Sequence, residues 1–270
     1  MRLKLLLLHN PRAGTRSLTH VEAVIGELRR RGAQVVARSL DAGTPTSAAL
    51  ADAEAFAAVI AAGGDGTLRS VLTALGDRPV AVGMLPAGTG NVFAHEVGLP
   101  AAASDLAEVL LNGPAVEIRG GRVNGQPFFL MAGAGFDGDV IHRLDQGVKS
   151  RFGKLAYAAP VLRAMASPGH ALSVTVDDRT SSADWVIAAR SARYGGHFLL
   201  AAEASLLRCD MVAVLFRPVS RADRIVQLAR LAAGRLAGAP GVEHVACRSL
   251  RISAARPVPV EVDGDPFGAT

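Results

Sequence analysis

Three glycines surround one carboxylate and one hydroxyl in Gly63-Gly64-Asp65-Gly66-Thr67, between an apolar run and a helical pattern. Glycine lets a main chain approach a phosphate closely, and a helix start offers free N–H groups and a positive dipole end. Because Asp65 would repel a bare phosphate, its carboxylate suits a site where it orients nucleotide-bound Mg²⁺ or takes a proton from an attacking hydroxyl. The simpler alternative is a tight turn with Asp65 as a helix cap.

A second loop of the same kind, Pro86-Ala87-Gly88-Thr89-Gly90-Asn91, follows the next apolar run, and Asn10–Gly14 follows the first. Loops that leave neighbouring strands at one sheet edge form a single cleft. The sequence contains neither G-x-G-x-x-G nor G-x-x-x-x-G-K-[ST], which disfavours a dinucleotide dehydrogenase and a P-loop enzyme. The loops therefore predict a nucleoside triphosphate with Mg²⁺, and phosphoryl transfer as the reaction.

Composition limits the class of protein that carries these loops. The 270 residues are 50% hydrophobic, 4% aromatic and 20% charged, with a formal net charge of +5. The apolar fraction excludes disorder, and the short apolar runs disfavour a membrane span. The dispersed charge and few aromatic residues disfavour a nucleic-acid reader but are compatible with anionic small molecules or an anionic membrane surface. Cys209 and Cys247 indicate neither a disulfide framework nor a zinc site, so we expect a reducing, cytoplasmic location.

The N-terminal part must place the loops at the ends of strands. Its apolar runs predict strands at Leu3–His9, Gln34–Ser39, Ala57–Ala61 and Val80–Leu85. Helical patterns lie between them, one after a capping box Thr19–Glu22 and ending at Gly32, others near Ser47–Glu54 and Leu68–Leu75. This alternation predicts a doubly wound α/β domain with a parallel sheet over residues 1–115.

After Ala115 short β-type runs dominate, with helical stretches near Ser150–Met165 and Arg221–Leu236. They predict an antiparallel, β-sandwich-like domain with inserted helices over residues 116–255, and a C-terminal segment 256–270 that returns towards the interdomain cleft. The predicted strands are Ala115–Arg119, Pro127–Ala132, Ala171–Val176, Asp184–Ala189, Phe198–Ala202, Met211–Leu215, Ser249–Ser253 and Val258–Val262. The fold class is thus α/β plus β.

Taken together, these motifs resemble the catalytic domain of the diacylglycerol kinase/sphingosine kinase family, and its bacterial soluble lipid kinases in particular. The resemblance rests on five motifs in register along nearly the whole chain. They are Asn10-Pro11 with Gly14, Gly63–Thr67, Pro86–Ala94, Met131–Asp137 with Gly153–Tyr157, and Val262–Asp265.

The resemblance implies an ATP-dependent kinase that binds ATP with Mg²⁺ in an interdomain cleft and phosphorylates the hydroxyl of a diacylglycerol-like or other long-chain lipid alcohol. It places catalytic carboxylates at Asp65, Asp265 and Asp263, and metal ligands at Asp65 and at Glu117, in the strand after the domain boundary. The implied nucleotide-binding residues are Asn10, Thr44, Gly63, Gly64, Gly66, Thr67, Gly88, Thr89 and Asn91.

Three departures from the family pattern bear on activity. Leu207 and Arg208 stand where relatives carry oxygen ligands of a structural Mg²⁺, so we expect no structural Mg²⁺ in the second domain, with Arg208 filling the charge role. Asp265 replaces a glutamate and is one methylene shorter, although a base must reach its proton to about 3 Å. The chain also ends at Thr270, soon after Asp265, which suggests low activity.

Two other functions remain open at this point. One is a catalytically degenerate protein of the same fold that binds nucleotide or lipid and regulates a partner; the other is an NAD kinase, which shares Gly-Gly-Asp-Gly-Thr. The basic residues Arg143, Lys149, Arg151 and Lys154 either contact anionic lipid headgroups or form a solvated helix face. We expect a protein peripheral to the inner face of the membrane that visits it transiently, binds no nucleic acid and is compatible with a homodimer.

Overall fold

The computed structural model describes residues 3–10, 15–40, 44–145, 147–148, 153–218 and 220–270. The loop residues 11–14 and the basic residues Lys149 and Arg151 lie outside the described residues, as does the side chain of Lys154. The chain divides into two compact units, Met1–Val116 and Glu117–Thr270. Among the described helices, none is both long enough and apolar enough to cross a bilayer.

The first unit alternates strands with helices. Its strands are β1 (Lys4–His9), β2 (Gln34–Ser39), β3 (Ala58–Gly63) and β4 (Ala81–Pro86). Its helices are α1 (Thr15–Arg30), α2 (Thr46–Ala49), α3 (Asp65–Leu75), α4 (Val92–Glu96) and α5 (Ala103–Asn112), with a 3₁₀ turn at Ala53–Ala55. All strand pairs are parallel, in the order β2-β1-β3-β4, so the predicted doubly wound parallel sheet is confirmed.

The alternation of side chains along β1 divides the core of this unit into two layers. Leu5 and Leu7 pack in the cluster that includes Val24 of α1 and Leu106 of α5. Leu6 and Leu8 pack on the opposite face, in the cluster that includes Leu68, Val71 and Leu75 of α3. Because both faces of the sheet are covered, β1 carries apolar side chains on both sides. This continuous apolar run is the pattern that predicted the strand from the sequence.

The starts of two helices, α1 and α3, were predicted incorrectly from local sequence patterns. α1 is already helical at Thr15, so the predicted capping box at Thr19 lies inside the helix. α3 begins at Asp65 and not at Leu68, so Asp65, Gly66 and Thr67 form its first turn and Gly64 is its N-cap. Gly32 ends α1 with φ +91°, the positive value expected of a glycine just beyond a helix.

The second unit is dominated by antiparallel strands. They are β5 (Gly121–Val123), β6 (Gln126–Phe128), β7 (Met131–Ala134), β8 (Leu172–Val176), β9 (Arg179–Ala183), β10 (Trp185–Ala189), β11 (Arg193–Tyr194), β12 (Phe198–Leu199), β13 (Met211–Phe216), β14 (Val242–Cys247), β15 (Leu250–Ala254), β16 (Pro259–Val262) and β17 (Asp265–Ala269). Its helices are α6 (Phe136–His142), α7 (Ala158–Ala166), which follows a 3₁₀ turn at Gly153–Tyr157, and α8 (Arg221–Ala232).

Two sheets of this unit share one apolar core. A six-stranded sheet has the order β14-β13-β10-β7-β16-β17, and a three-stranded sheet has the order β15-β8-β9. Val186 and Leu215 from the first sheet pack in one cluster with Leu172 and Val174 from the second. The predicted sandwich-like domain with inserted helices is confirmed.

Several predicted strands differ from the observed ones. Residues 115–119 form no strand, although their pattern is β-like; the Arg119 N–H is bonded to the carbonyl of Leu206 (2.6 Å) instead of to a strand partner. The predicted strand Pro127–Ala132 is divided between β6 and β7. The segment 256–270 contributes β16 and β17, of which β16 pairs with β7 inside the six-stranded sheet.

Candidate functional site

The two glycine loops of the first unit touch through their main chains at the carboxyl ends of β3 and β4. The N–H of Ala87 donates to the carbonyl of Gly63 (2.9 Å), which continues the β3–β4 pairing into the loops. A Cβ added to Gly64 would lie 3.2 Å from the Cα of Gly88, and one added to Gly88 would meet the Gly64 main chain still more closely. A Cβ at Gly88 would therefore force the loops apart, whereas one at Gly64 would require a shift of a few tenths of an ångström, so the approach of the loops requires glycine at position 88 above all.

Asp65 joins the same two loops through its carboxylate. Its two oxygens accept the main-chain N–H groups of Val92 and Phe93, each at 3.0 Å, at the start of α4. A carboxylate in this position satisfies N–H groups that have no acceptor within their own helix and complements its dipole. These contacts favour a role for Asp65 in positioning the second loop, because both oxygens are already engaged with the protein.

Asn91 closes the second loop on itself. Its side-chain oxygen accepts the N–H of Gly88 and its amide donates to the Gly88 carbonyl, both at 2.9 Å. The residue has φ +49°, a left-handed conformation that asparagine tolerates better than most residues. Asn91 is therefore engaged in holding the loop, and Thr89 lies half-buried on the segment that it closes.

The other predicted nucleotide-binding residues of this unit are placed as follows. Thr67 is buried against Gly63, and Gly66 lies half-buried in the first turn of α3. The N–H of Asn10 donates to the carbonyl of Ala62 at 3.2 Å, so Asn10 lies at the same strand ends as the glycine loops. Thr44 is exposed just before α2.

Asp263 occupies the first of the two central positions of a tight hairpin turn between β16 and β17. It has φ +50° and Gly264 has φ +83°, as a type I′ Asp-Gly turn requires. Its buried carboxylate accepts the N–H groups of Phe129, Leu130 and Met131 at 2.8–3.0 Å. The contacts favour an anchoring role for Asp263, since all three donors are main-chain groups, two in the β6–β7 connection and one at the first residue of β7.

The two other predicted carboxylates of the second unit are less enclosed. Asp265 is half-buried at the start of β17, opposite Val262. Glu117 has a side chain 76% exposed and forms an ion pair with Arg119 (3.0 Å). The expectation that Glu117 belongs to a strand was wrong, because residues 114–120 form no strand.

A buried carboxyl pair, Asp137 and Glu261, lies beside the Asp263-Gly264 turn. Glu261 was not among the site residues predicted from the sequence. Asp137 Oδ2 and Glu261 Oε1 both face the Cα of Gly133 and have no donor among the described residues other than each other. Burial raises the pKa of both carboxyls, and the charge of Asp137 raises that of Glu261 further. A single proton shared between Asp137 Oδ2 and Glu261 Oε1 gives both oxygens a hydrogen bond and avoids two buried negative charges side by side.

The carboxyl pair is connected to the Asp-Gly turn and to a tyrosine. Glu261 Oε2 accepts the N–H of Gly264 (2.7 Å), and the Tyr194 hydroxyl donates to Asp137 Oδ1. Burial and then the neighbouring Asp137 raise the pKa of Tyr194, so its hydroxyl remains a donor. In the sequence Glu261 stands only two residues before Asp263, next to the Val262–Asp265 motif, and this proximity is the signal that could have pointed to it.

A buried guanidinium, that of Arg190, lies in the region where Arg208 was expected to carry the charge. Arg190 is 2% exposed and donates to the carbonyls of Arg119 (2.7 and 3.0 Å), Asp210 (2.6 Å) and Arg208 (2.5 Å). The Arg208 side chain points instead to Asp210, with two bonds of 2.6 and 2.7 Å at the surface. Arg190 therefore supplies the cation that holds the 208–210 segment.

The first unit offers suitable groups for a nucleotide. The N–H groups of Asp65 and Gly66 open α3 ahead of the Thr67 N–H, which donates to the carbonyl of Gly64 (3.0 Å), and two glycine main chains border them. Across the described ranges, no group of three or more His, Cys, Asp or Glu side chains is arranged to hold a metal ion.

A parallel α/β sheet with paired glycine loops, followed by an antiparallel sandwich, defines the class of protein. Residues 4–123 match the diacylglycerol kinase catalytic domain family. Residues 131–270 match the family described as the YegS C-terminal NAD kinase beta sandwich-like domain. This chain belongs to the family of diacylglycerol kinases and YegS-type lipid kinases.

Individual relatives agree with this assignment over part of their length. A diacylglycerol kinase of Bacillus subtilis (strain 168) is 34% identical over 160 residues, which cover 56% of this chain and 52% of the relative. Lipid kinase YegS of Escherichia coli (strain K12) is 40% identical over 106 residues, 37% of this chain and 36% of the relative. The alignments thus span about half or less of these curated relatives.

Solved structures show the same fold over nearly the whole chain. The crystal structure of a diacylglycerol kinase from Bacillus anthracis str. Sterne superposes with a TM-score of 0.70 at 16% identity, covering 98% of this chain and 90% of that one. A second structure from the same organism gives a TM-score of 0.80 at 18% identity, with coverage of 98% and 90%.

Proposed function

We propose that this chain is an ATP-dependent lipid kinase that transfers the γ-phosphoryl group of ATP, bound with Mg²⁺, to the hydroxyl of a diacylglycerol-like or other long-chain lipid alcohol. The observation that carries the proposal is the main-chain contact between Gly64 and Gly88, which leaves two glycine loops and the start of α3 side by side. The names of the relatives, diacylglycerol kinase and lipid kinase YegS, support a lipid as the acceptor.

In this proposal the main chain of the first unit binds the phosphates. The N–H groups of Asp65 and Gly66 at the start of α3 and those of Thr89 and Gly90 donate to phosphate oxygens, since the N–H of Gly88 is already bonded to Asn91 Oδ1. Mg²⁺ supplies charge stabilisation when bound with the nucleotide. Asn10, Gly63, Gly66 and Thr67 shape the same edge of the sheet. Asp65 and Asn91 position the second loop through the hydrogen bonds they already make.

Asp265 remains the proposed general base in the second unit. It follows a turn that Asp263 anchors with three hydrogen bonds and that Glu261 contacts at Gly264, so its main chain is held on both sides. A base that removes the acceptor proton must be held in place, because general-base catalysis depends on reach before it depends on pKa. Asp263 is therefore proposed as a positioning residue and Asp265 as the catalytic one.

A phosphoryl-transfer assay tests the proposal. Radiolabelled ATP with Mg²⁺ is incubated with the whole chain and detergent-dispersed diacylglycerol, monoacylglycerol, sphingosine and phosphatidylglycerol. We expect label in at least one lipid, and a loss of about 100-fold or more for Asp265→Asn because general-base catalysis contributes about 10²–10⁴. Asp178→Asn, at an exposed hairpin position, is the matched control. ATP binding with no transfer to any lipid would favour the degenerate regulatory function instead.

A further inference from the structure

The stretch Arg224–Gln227 of helix α8 has the reverse of the usual polarity for a surface helix, although Leu231 further along is buried in the ordinary way. Its buried positions include Arg224 and Gln227, which are 6% and 1% exposed, whereas Ile225 and Val226 are 59% and 49% exposed. In an ordinary surface helix the apolar side chains face the core and the polar ones face water. An apolar outer face of this kind on a well-packed helix indicates a surface that meets something other than water.

Polar contacts on the inner side fix this orientation. Arg224 forms a buried ion pair with Asp184 (3.1 Å) and donates to the carbonyl of Ser167 (3.2 Å). Gln227 donates to the carbonyl of Pro240 (3.1 Å). Rotating the helix to bury Ile225 would leave the charge of Asp184 buried and unpaired, which costs far more than exposing an isoleucine.

Helix α7, adjacent to α8, exposes apolar side chains as well. Leu155, in the 3₁₀ turn before α7, and Leu162 within it are 78% and 70% exposed. The two helices are joined at the end of α7, because the Arg221 guanidinium donates to the carbonyl of Ala166 (2.9 Å). We call the exposed residues Leu155, Leu162, Ile225 and Val226 the outer apolar set.

The fully exposed charged side chains on α7, on α8 and just after α8 are all cations. Arg163, Arg221, Arg230 and Arg235 are exposed on or just after these two helices. The acidic Asp223 is engaged in the capping box of α8 with Ser220. Val226, Ala229 and Ala233 line a surface depression that is flanked by Arg230 and Arg235.

We propose that α7 and α8 dock the protein on an anionic lipid bilayer, with the outer apolar set in the headgroup–acyl boundary and the arginines among lipid phosphates. Helices with apolar side chains on one face and Lys or Arg beside them lie in this interface, and each cation near it adds attraction. A second copy of the chain fits poorly, because a two-fold contact would set the same arginines against one another. The proposal rests on the proposed function, since a lipid kinase must reach a substrate held in a membrane.

Vesicle co-sedimentation without ATP tests the docking surface. Vesicles of phosphatidylglycerol and phosphatidylcholine in equal parts should bind the whole chain, and pure phosphatidylcholine should bind it more weakly. We expect Ile225→Gln/Val226→Gln to weaken partitioning about tenfold through lost apolar burial. Arg230→Gln/Arg235→Gln should weaken it about tenfold on anionic vesicles only.

Matched controls separate docking from general surface changes. Leu207→Gln removes a side chain that is 62% exposed outside the two helices, and Arg256→Gln removes an exposed cation from the turn before β16. Both should bind vesicles as the unaltered chain does. Equal binding by Ile225→Gln/Val226→Gln would overturn the proposal, and so would a dimer in solution that this double variant converts to a monomer.

The outcome is independent of phosphoryl transfer. If vesicle binding depends on Ile225 and Val226 but no lipid is phosphorylated, the docking surface stands and the proposed kinase function fails. If detergent-dispersed lipid is phosphorylated while these substitutions leave vesicle binding unchanged, the proposed kinase function is supported and the proposed docking surface is wrong.

Discussion

Gly64 and Gly88 lie in main-chain contact although 23 residues lie between them in the sequence, and position 88 has no room for a side chain. The contact joins the loop after β3 to the loop after β4, and it brings together the groups that we propose bind the nucleotide phosphates. Its importance can be tested with single methyl groups.

Gly88→Ala should damage both the fold and the site. The new Cβ would clash with the main chain of Gly64 and stand 2.9 Å from Asn91 Oδ1, so the loops must separate at a cost of about 1–3 kcal/mol. We expect a higher KM for ATP and a lower midpoint in urea unfolding. Gly26→Ala is the control: it adds a methyl group in α1 with no heavy atom within 4 Å, and it should stabilise the protein by about 0.5–1 kcal/mol.

Substitutions at Asp65 distinguish positioning from proton transfer. Asp65→Ala leaves the N–H groups of Val92 and Phe93 without their acceptor, and we expect it to destabilise the protein by about 1–2 kcal/mol, as the loss of a helix cap does. Asp65→Asn keeps one acceptor oxygen and should retain part of the stability and of kcat. If Asp65→Asn and Asp65→Ala lost kcat equally while Asp65→Asn unfolded like the unaltered chain, Asp65 would instead be the base.

The buried pair Asp137 and Glu261 should make stability depend on pH in an unusual direction. Burial raises the pKa of both carboxyls in the folded protein, so the folded chain holds a proton that the unfolded chain releases. The stabilisation that this bound proton gives is complete below the ordinary glutamate pKa of 4.5. It is lost as the pH rises through the raised pKa of the carboxyl in the folded protein. The free energy of unfolding should therefore fall on this rise, by up to about 1.4 kcal/mol per pH unit per proton.

Glu261→Gln tests that dependence, because its amide can donate permanently to Asp137 while its oxygen still accepts from Gly264. We expect urea unfolding of this variant at a series of pH values to show a flatter profile than that of the unaltered chain. Glu22→Gln, at an exposed position on α1, should leave the profile unchanged. If the free energy of unfolding changed with pH in the same way for Glu261→Gln and for the unaltered chain, a proton shared between Asp137 and Glu261 would be excluded.

Arg190 should be more important for stability than the exposed Arg208. Arg190→Met removes the donor to three main-chain carbonyls, which should cost about 3 kcal/mol or more in the free energy of unfolding. Arg190→Lys keeps the charge but not the planar arrangement of donors, so its loss should be intermediate. Arg208→Met breaks only a surface pair with Asp210 and should change stability little. Stability of Arg190→Met equal to that of the unaltered chain, in urea at neutral pH, would contradict this role.

Strands β1, β3 and β4 could be predicted from the sequence because each is mainly apolar in a sheet covered on both faces, whereas the edge strand β2 is mixed, with Val35 buried and Gln34 exposed. β9 could not, since Arg179–Ala183 is mostly polar and becomes a strand only by pairing with β8. Residues 115–119 show the reverse case, a β-like pattern that forms no strand. Strand formation depends on hydrogen-bond partners that are distant in the chain, and a local pattern does not specify them.

The same division applies to the candidate site. The sequence by itself determined the glycine loops, the terminal motif Val262–Asp265 and the family, because these depend on residue types at short spacings. Only the tertiary structure decided that Asp65 meets Val92, that Asp263 meets Leu130, and that Asp137 faces Glu261. The physical reason is that the role of a carboxylate depends on the donors and charges around it, and folding brings these from segments 27 to 133 residues away.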